Sequence, residues 1–197
     1  MDQYFSQSPD VASDPQTWQY LLRGKKFTFT TDNGVFSKNE VDFGSRVLIE
    51  AFRVPDIDGP LLDLGCGYGP ISIALAAFLP ERSVVGVDVN ERALSLAEKN
   101  AKQNKIANVS FKESDILSNV TGQSFAAILT NPPIRAGKQI VHKMFEEAKE
   151  ALLPNGELWV VIQKKQGAPS AKKKLTELFE EVEVVQKEKG YFIFCAK

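Results

Sequence analysis

Residues that bind metals or form disulfides are scarce in this chain. Its 197 residues include one histidine and two cysteines, so neither a zinc cluster nor a disulfide framework is expected. Cys66 lies in a glycine-rich loop and Cys195 in an apolar segment, which is typical of buried thiols in a reducing cytoplasm. No apolar run approaches the roughly 20 residues that cross a membrane, and the polar start of the chain lacks the segments of a signal peptide. We therefore expect a cytoplasmic protein that contacts no membrane and uses no metal.

The chain also lacks an excess of charge of either sign. Its formal net charge is −1, with 24 basic and 25 acidic residues. A contact with nucleic acid must therefore depend on a local cluster of cations. The length and the hydrophobic content of 43% suit one substantial core. We expect a flexible N-terminus over residues 1–18 and a single domain over residues 19–197.

Strands and helices alternate from residue 60 onward. Short, nearly all-apolar runs such as Leu61–Leu64, Val84–Asp88 and Phe125–Thr130 predict strands, and segments with helical spacing lie between such runs. This alternation predicts an α/β fold with a parallel sheet covered by helices on both faces. The last two runs, Val182–Gln186 and Tyr191–Ala196, are too close in sequence for a crossover helix, so they should pair antiparallel.

A small β-hairpin is predicted in front of this core. Residues 19–40 form this extension and residues 41–197 the core. Aromatic and β-branched residues fill Trp18–Thr31, which is interrupted by a candidate tight turn near Arg23-Gly24. Val41–Arg53 then has apolar residues at helical spacing and predicts an amphipathic helix.

The most informative stretch is the loop in which a strand passes through Asp63 and turns through Gly65, Gly67 and Gly69. Glycines at every second position let the backbone approach a ligand closely. A dinucleotide site has the spacing Gly-x-Gly-x-x-Gly instead, and a carboxylate beside its pyrophosphate would repel the ligand. Near the α-ammonium of a methionine moiety, directly or through water, the Asp63 carboxylate would attract it. The loop therefore favours an S-adenosylmethionine site.

Further polar residues follow other strands. Because ligands of open parallel sheets bind beyond the carboxyl ends of the strands, Asp63, Asp88, Asp115 and Asn131 should meet at one rim. Asp88 could accept hydrogen bonds from both ribose hydroxyls, and Asp115 could accept one from the adenine amino group. Structural roles are the alternatives to these ligand contacts. Asn90, just after Asp88, could be the N-cap of the next helix, and Asp115 could be a plain turn aspartate. The predicted cofactor site comprises Asp63, Gly65, Cys66, Gly67, Gly69, Asp88, Val89, Asp115, Ile116 and Asn131.

The segment Asn131-Pro132-Pro133-Ile134 is the predicted catalytic loop. Its two prolines stiffen the backbone, which then presents carbonyl groups. The Asn131 amide oxygen and the Pro132 carbonyl could accept both hydrogens of a planar amino group and aim its lone pair at the methyl group of the cofactor. Two such acceptors would stabilise the positive charge that develops on the nitrogen, so no strong general base is needed. The alternative is a proline-stiffened strand exit without catalytic meaning.

The motifs above together resemble those of class I S-adenosylmethionine-dependent methyltransferases. Gly34–Ser37 (Gly-Val-Phe-Ser) and Asp42–Ser45 (Asp-Phe-Gly-Ser) resemble more specifically the small methyltransferase domain of ribosomal RNA guanine-N2 methyltransferases (RsmC-like), over roughly residues 20–197. The resemblance implies a Rossmann-like sheet of seven strands, mostly parallel with the last strand antiparallel, and S-adenosylmethionine as the cofactor. It also implies that Phe36 and Ser37 lie beside the cofactor and that guanine N2 in small-subunit ribosomal RNA is the target.

Two features depart from that family. Its members often carry a second, degenerate methyltransferase-like domain that binds RNA, for which this chain has no room. The fourth residue of the catalytic motif is often an aromatic that stacks on an extruded base, whereas Ile134 offers only an apolar contact. Stacking would then come from Phe36 or Tyr68. A protein glutamine, an adenine or a small-molecule amine therefore remain alternative acceptors, and a catalytically silent domain that binds S-adenosylmethionine or RNA is a further alternative.

Cations next to the catalytic loop are the candidate RNA contacts. Arg135 and Lys138 follow the loop directly, and Lys164 and Lys165 follow the next strand. These side chains could contact phosphates, with ordinary solvated charge as the alternative. Ribosomal RNA or the small ribosomal subunit is the expected partner.

Overall fold

Two antiparallel strands precede the main sheet in the computed structural model, which describes residues 11–197. The strand β1 (Gln16–Leu22) pairs with β2 (Lys25–Thr31) through the predicted turn at Arg23-Gly24. Both turn residues have positive φ, 45° and 74°, and such turns match the twist of the strands they join. Residues 1–10 of the predicted flexible segment lie outside the described residues. Because β1 begins at Gln16, the predicted boundary of the hairpin at residue 19 is too late.

The main sheet has seven strands among the described residues. They are β3 (Leu61–Leu64), β4 (Val84–Asp88), β5 (Val109–Glu113), β6 (Phe125–Thr130), β7 (Leu152–Gln163), β8 (Val182–Glu188) and β9 (Tyr191–Ala196). Their spatial order is β5-β4-β3-β6-β7-β9-β8, and β9 is antiparallel to both of its neighbours. The predicted Rossmann-like sheet with its antiparallel last strand is confirmed.

Helices cover both faces of this sheet. They are α1 (Phe43–Ala51), α2 (Pro70–Phe78), α3 (Glu91–Gln103), α4 (Lys138–Glu150) and α5 (Ala168–Leu178), with short 3-10 turns at Ile134–Ala136 and Lys164–Gln166. The Asn90 side chain accepts a hydrogen bond from the Ala93 N–H at 3.0 Å, so the predicted alternative of a helix N-cap is confirmed. The helix predicted over Val41–Arg53 is observed as the shorter α1, Phe43–Ala51, and Asp42 is its N-cap.

Two apolar layers lie on opposite faces of the sheet. The hairpin, α1, α2 and α3 pack on one face, and α4 and α5 pack on the other. Strand β3 is buried on both faces, with Leu61 in the first layer and Leu62 in the second. Such burial explains why this strand reads as a continuous apolar run rather than as an alternating one.

The buried side chain of Asn100 ties the hairpin to the main domain. Its amide oxygen accepts the Thr30 N–H at 2.7 Å, and its amide nitrogen donates to the carbonyls of Thr30 at 3.0 Å and Tyr68 at 2.9 Å. One amide of α3 therefore satisfies the backbone of β2 and of the glycine loop together. The hairpin thereby supports the loop that the sequence singled out.

The segment Pro154–Gly156 has residues that are typical of a turn, yet it lies within β7. Phe125 of β6 aligns with Leu152, whereas Ala127 aligns with Glu157, so an irregular stretch of β7 lies between the two pairs. A positive φ of 62° at Asn155 accommodates the bend. The turn residues therefore form a bulge in a longer strand.

Candidate active site

A cavity of about 380 Å³ lies at the carboxyl ends of β3, β4, β5 and β6. Strand order reverses between β3 and β6, which is where open α/β sheets bind ligands, and the volume is in the range of small-molecule sites. The Thr130 hydroxyl donates to the Leu64 carbonyl at 2.8 Å, so the ends of these two strands are held together. The predicted residues that line the cavity are Phe36, Ser37, Gly65, Cys66, Gly67, Asp88, Val89, Asp115, Ile116, Asn131 and Pro133.

The three glycines of the loop have different roles. Their φ values are 80° at Gly65, 55° at Gly67 and 93° at Gly69, all in the left-handed region. A Cβ on Gly65 or Gly67 would meet no atom within 4 Å, so these two leave their open side to a ligand. A Cβ on Gly69 would lie 3.0 Å from Ile73 and 3.2 Å from Ala97. Gly69, which was predicted to bind the cofactor, does not line the cavity and serves the packing of α2 and α3.

The Asp63 carboxyl lies behind the glycine loop instead of on the cavity wall. Its Oδ2 accepts hydrogen bonds from the Ser72 N–H at 2.9 Å and from the Ser72 hydroxyl, which holds the first turn of α2. Its Oδ1 is the only buried side-chain oxygen or nitrogen in residues 11–197 without a hydrogen-bond partner. Burial raises the pKa of Asp63 to about 7. Asp63 does not line the cavity, and its predicted attraction of a methionine moiety, directly or through water, stays a prediction.

Asp88 connects the glycine loop to the start of α3. Its Oδ2 accepts the Gly67 N–H at 2.8 Å and its Oδ1 accepts the Asn90 N–H at 2.9 Å. Burial raises the pKa of this carboxyl, which lines the cavity at the end of β4. The Asn90 amide donates to the Gly34 carbonyl at 2.9 Å, so the segment containing Phe36 and Ser37 is anchored beside the same wall.

Two other side chains of the loop are chemically inert. Burial, followed by the charges of Asp63 and Asp88, raises the pKa of the Cys66 thiol well above its ordinary value, so it stays protonated. The Tyr68 ring is 3% exposed and packs edge-on against Trp18. Tyr68 is therefore unable to stack on an incoming base, whereas Phe36 is 42% exposed.

The Asn131 side chain is held in one orientation. Its Nδ2 donates to Asp42 Oδ2 at 2.8 Å and to Ser45 Oγ at 3.0 Å. Because a carboxylate only accepts hydrogen bonds, the amide nitrogen must face Asp42 and the amide oxygen is left for another donor. Within residues 11–197 no donor bonds to Asn131 Oδ1 or to the Pro132 carbonyl. The loop therefore presents two unpaired acceptors.

Asp42 and Ser45 are functional candidates that the sequence interpretation missed. Both line the cavity, although the sequence indicated only that their segment resembles a known motif. The available signal was an aspartate that precedes an amphipathic helix, which is also the pattern of an ordinary N-cap. Tyr68, which was predicted only as a candidate for stacking, also lines the cavity. The other lining residues that were not predicted are Leu64, Pro70, Ile71, Val87, Ala93, Ser114, Ala136, Ile140 and Met144.

Several predicted site residues do not line the cavity. Pro132 is buried, and Ile134 begins the 3-10 turn after β6. The four predicted RNA contacts are exposed beyond the ends of β6 and β7, and none of them forms an ion pair with a described residue. They are Arg135, Lys138, Lys164 and Lys165.

No grouping of three His, Cys, Asp or Glu side chains in residues 11–197 could hold a metal ion. None of the helices in that range is both long enough and apolar enough to cross a membrane. The two cysteines are buried and free, as predicted.

The strand order, the open glycine loop and the polar residues at the strand ends define a class I S-adenosylmethionine-dependent methyltransferase. The sequence model of the methyltransferase small domain matches residues 26–195, and the chain belongs to that family. The predictions of a methyltransferase and of S-adenosylmethionine as the cofactor are confirmed at this level.

Similar proteins cover this chain to different extents. The uncharacterized protein YbxB of Bacillus subtilis (strain 168) is 59% identical over 197 residues, which are all of this chain and 98% of that protein. Ribosomal RNA large subunit methyltransferase G of Klebsiella pneumoniae (strain 342) is 33% identical over 162 residues, 78% of this chain but 43% of that protein. The T. thermophilus 16S rRNA N2 methyltransferase RsmC, solved with AdoMet and guanosine, matches with a TM-score of 0.83 and 26% identity over 96% of this chain and 52% of that chain. The chain thus spans about half the length of these two ribosomal RNA methyltransferases.

Proposed function

We propose that this protein transfers the methyl group of S-adenosylmethionine to the N2 amino group of a guanine in ribosomal RNA, with the small subunit as the first candidate. The observation that carries this proposal is the pair of unpaired acceptors, Asn131 Oδ1, on a residue that lines the cavity, and the carbonyl of the adjoining Pro132. The names of two similar proteins support ribosomal RNA as the substrate class, one for the large subunit and one for guanine N2 of 16S rRNA.

The cavity wall fits the cofactor, which supplies an electrophilic methyl group on a sulfonium. Gly65 and Gly67 leave room for it because no atom lies within 4 Å of an added Cβ. The Asp88 carboxylate receives one N–H on each oxygen and keeps further lone pairs for ribose hydroxyls. We assign Asp115 to the adenine side and Phe36 to the rim beside the acceptor.

The acceptor amine is oriented by Asn131 and Pro132. If their oxygens accept its two N–H groups, the nitrogen lone pair is directed away from both of them, toward the methyl group. The same oxygens stabilise the positive charge that develops on the nitrogen during transfer. A general base is not required. His142 belongs to α4, its Nε2 lies 3.3 Å from Ser170 Oγ of α5, and it does not line the cavity.

The cations beyond β6 and β7 would contact the phosphates that flank the target guanine. Arg135 and Lys138 follow the catalytic loop. The Lys164 N–H donates to the Gly190 carbonyl at 2.8 Å, which places Lys164 and Lys165 beside the β8–β9 turn. Exposed cations without ion-pair partners are available for phosphates without the cost of breaking an existing pair.

The test is transfer of labelled methyl from S-adenosylmethionine to unmodified small and large ribosomal subunits, their naked RNAs, transfer RNA and total protein. Modified nucleosides and residues are identified by mass spectrometry. We expect N2-methylguanosine in ribosomal RNA from the wild-type protein and a strong loss of product with the Asn131→Ala variant. Label confined to protein glutamine or to adenine would overturn the guanine assignment. Binding of S-adenosylmethionine without transfer to any acceptor would favour a silent domain.

A further inference from the structure

The Asp42 carboxylate is a fixed negative charge next to the amide that would hold the acceptor. Its Oδ2 accepts the Asn131 Nδ2–H at 2.8 Å and the Ser45 N–H at 3.2 Å. A Cβ on Gly44 would lie 3.0 Å from this oxygen and 3.0 Å from the Tyr191 ring, so the carboxylate is closely packed on that side. These contacts hold the charge in place without neutralising it, since no described cation pairs with Asp42.

The second oxygen of this carboxylate is available. No donor in residues 11–197 bonds to Asp42 Oδ1, and this atom is not among the buried unpaired atoms, so it is open to solvent. Asp42 lines the cavity together with Asn131. The Asp42 charge also acts on two neighbouring tyrosines. Burial is the main cause that raises the pKa of Tyr68 and of Tyr191, and the Asp42 charge is the second cause for both.

The amino groups that compete for such a site differ in the atom beside them. The amino group of guanine has the N1–H donor on one side and the N3 lone pair on the other, whereas those of adenine and cytosine have no ring N–H beside them and adjoin a ring nitrogen that carries a lone pair. The amide nitrogen of glutamine is flanked by a carbonyl oxygen. A fixed negative charge attracts a flanking N–H and repels a flanking lone pair.

We propose that Asp42 selects the acceptor by its charge, favouring an amino group that has a ring N–H on one side, as in guanine, over one that has no ring N–H beside it. This inference rests on the proposed function, because it assumes that Asn131 holds the acceptor. Asn131 recognises any amino group, and Asp42 supplies the discrimination among amino groups. A buried or partly buried charge that is matched only by the correct partner is an effective means of specificity.

The test compares two nucleosides that share the 2-amino group, guanosine and 2-aminopurine riboside, in which N1 carries a lone pair. Binding to the protein loaded with S-adenosylhomocysteine is followed by NMR titration. We expect the wild-type protein to prefer guanosine by at least about tenfold, the scale of one hydrogen bond to a charged group. The Asp42→Asn variant should lose most of this preference. Its asparagine remains a good N-cap, so the melting temperature should change little.

The Ser45→Ala variant is the matched control, because it removes the other contact to Asn131 Nδ2 and keeps the charge. It should bind both nucleosides more weakly and retain the preference for guanosine. A wild-type protein without preference, or an Asp42→Asn variant that keeps it, overturns the inference. If guanosine is preferred through Asp42 but ribosomal RNA is never methylated at guanine N2, the proposed function fails and the inference stands. If guanine N2 is methylated and the variant keeps the preference, only the inference fails.

Discussion

The two halves of the cavity are built in different ways. The proposed cofactor half, made of Gly65–Tyr68, Asp88 and Asp115, lies at or just after the ends of β3, β4 and β5, so each strand leads into its own part of the site. The acceptor half, made of Asp42, Ser45, Asn131 and Pro132, depends on contacts between distant segments. Asn131 bonds to Asp42 and Ser45, which precede it by 89 and 86 residues.

This difference separates what the fold supplies from what individual side chains supply. Any chain that forms this sheet with glycines after β3 and an aspartate at the end of β4 obtains most of the cofactor half. The acceptor half also requires that α1 place a carboxylate against the catalytic loop, and a single substitution changes that contact without disturbing the sheet. We therefore expect damage to the two halves to separate cleanly into effects on stability and cofactor binding and effects on turnover.

The largest expected effect concerns Asp63 beneath the cofactor half. Its pKa is raised from 3.8 to about 7 on folding, so the folded protein binds this proton more tightly than the unfolded chain. The free energy of unfolding should therefore fall as the pH rises from about 4 to about 7, by up to about 4 kcal/mol from this group, and then level off. Denaturant unfolding of the wild type and of Asp63→Asn at several pH values checks this. If the free energy of unfolding depended on pH equally in both proteins, the prediction would be wrong.

Asn131→Ala should break the acceptor half alone. Loss of one acceptor for the developing charge is expected to lower turnover by on the order of 100-fold or more, with the affinity for S-adenosylmethionine nearly unchanged. Steady-state kinetics with the RNA substrate, together with calorimetric titration of the cofactor, separates the two quantities. Normal turnover in this variant would remove Asn131 from the catalytic role.

Asp88→Ala should break the cofactor half. Loss of the proposed hydrogen bonds to the ribose is expected to weaken S-adenosylmethionine binding by roughly 1.5–3 kcal/mol. Calorimetric titration measures this. Because Asp88 also accepts the Gly67 and Asn90 N–H groups, Asp88→Asn is the companion variant that keeps the shape of the side chain. Unchanged affinity in both variants would exclude Asp88 from the ribose site.

Glycine-to-alanine substitutions sharpen the comparison within one loop. Both Gly65→Ala and Gly69→Ala place a side chain at positive φ, at a cost of about 1 kcal/mol. Only Gly69→Ala also forces a Cβ against Ile73 and Ala97, so it should lower the melting temperature more. Gly65→Ala should instead lower cofactor affinity more. The reverse pattern in melting and calorimetry would mean that Gly65, not Gly69, is the packing glycine.

The smallest effect is expected at the proposed RNA contacts. Arg135→Ala should weaken RNA binding several-fold and reduce the salt dependence of the binding constant by about one unit of slope. Lys172→Ala on the exposed face of α5 is the control and should change neither quantity. Fluorescence anisotropy at several salt concentrations measures both. Equal effects of the two substitutions would mean that the charge near the catalytic loop has no special place in RNA binding.

The sequence predicted those parts of the site that depend on consecutive residues. The turn at Arg23-Gly24, the N-cap at Asn90 and the open positions of Gly65 and Gly67 were all predicted or weighed from local patterns. They could be predicted because backbone conformation and capping are decided within a few residues. The start of β1 at Gln16 was missed, since a polar segment gains its strand structure from pairing with β2.

What only the tertiary structure decided is which side chains face the ligand. Asp63 and Gly69 belong to the same glycine-rich motif as Gly65 and Gly67, which leave space for a ligand. Asp63, however, lies behind the loop, and Gly69 packs against Ala97. Asp42 reads as an ordinary helix cap until α1 is docked against the catalytic loop. The sequence by itself determined the order of strands and helices, because this order follows from local periodicity. It also determined the chemistry of the loops, because that chemistry follows from the residues they contain. The contacts that orient Asn131 required the folded chain, because they join residues that are far apart in sequence.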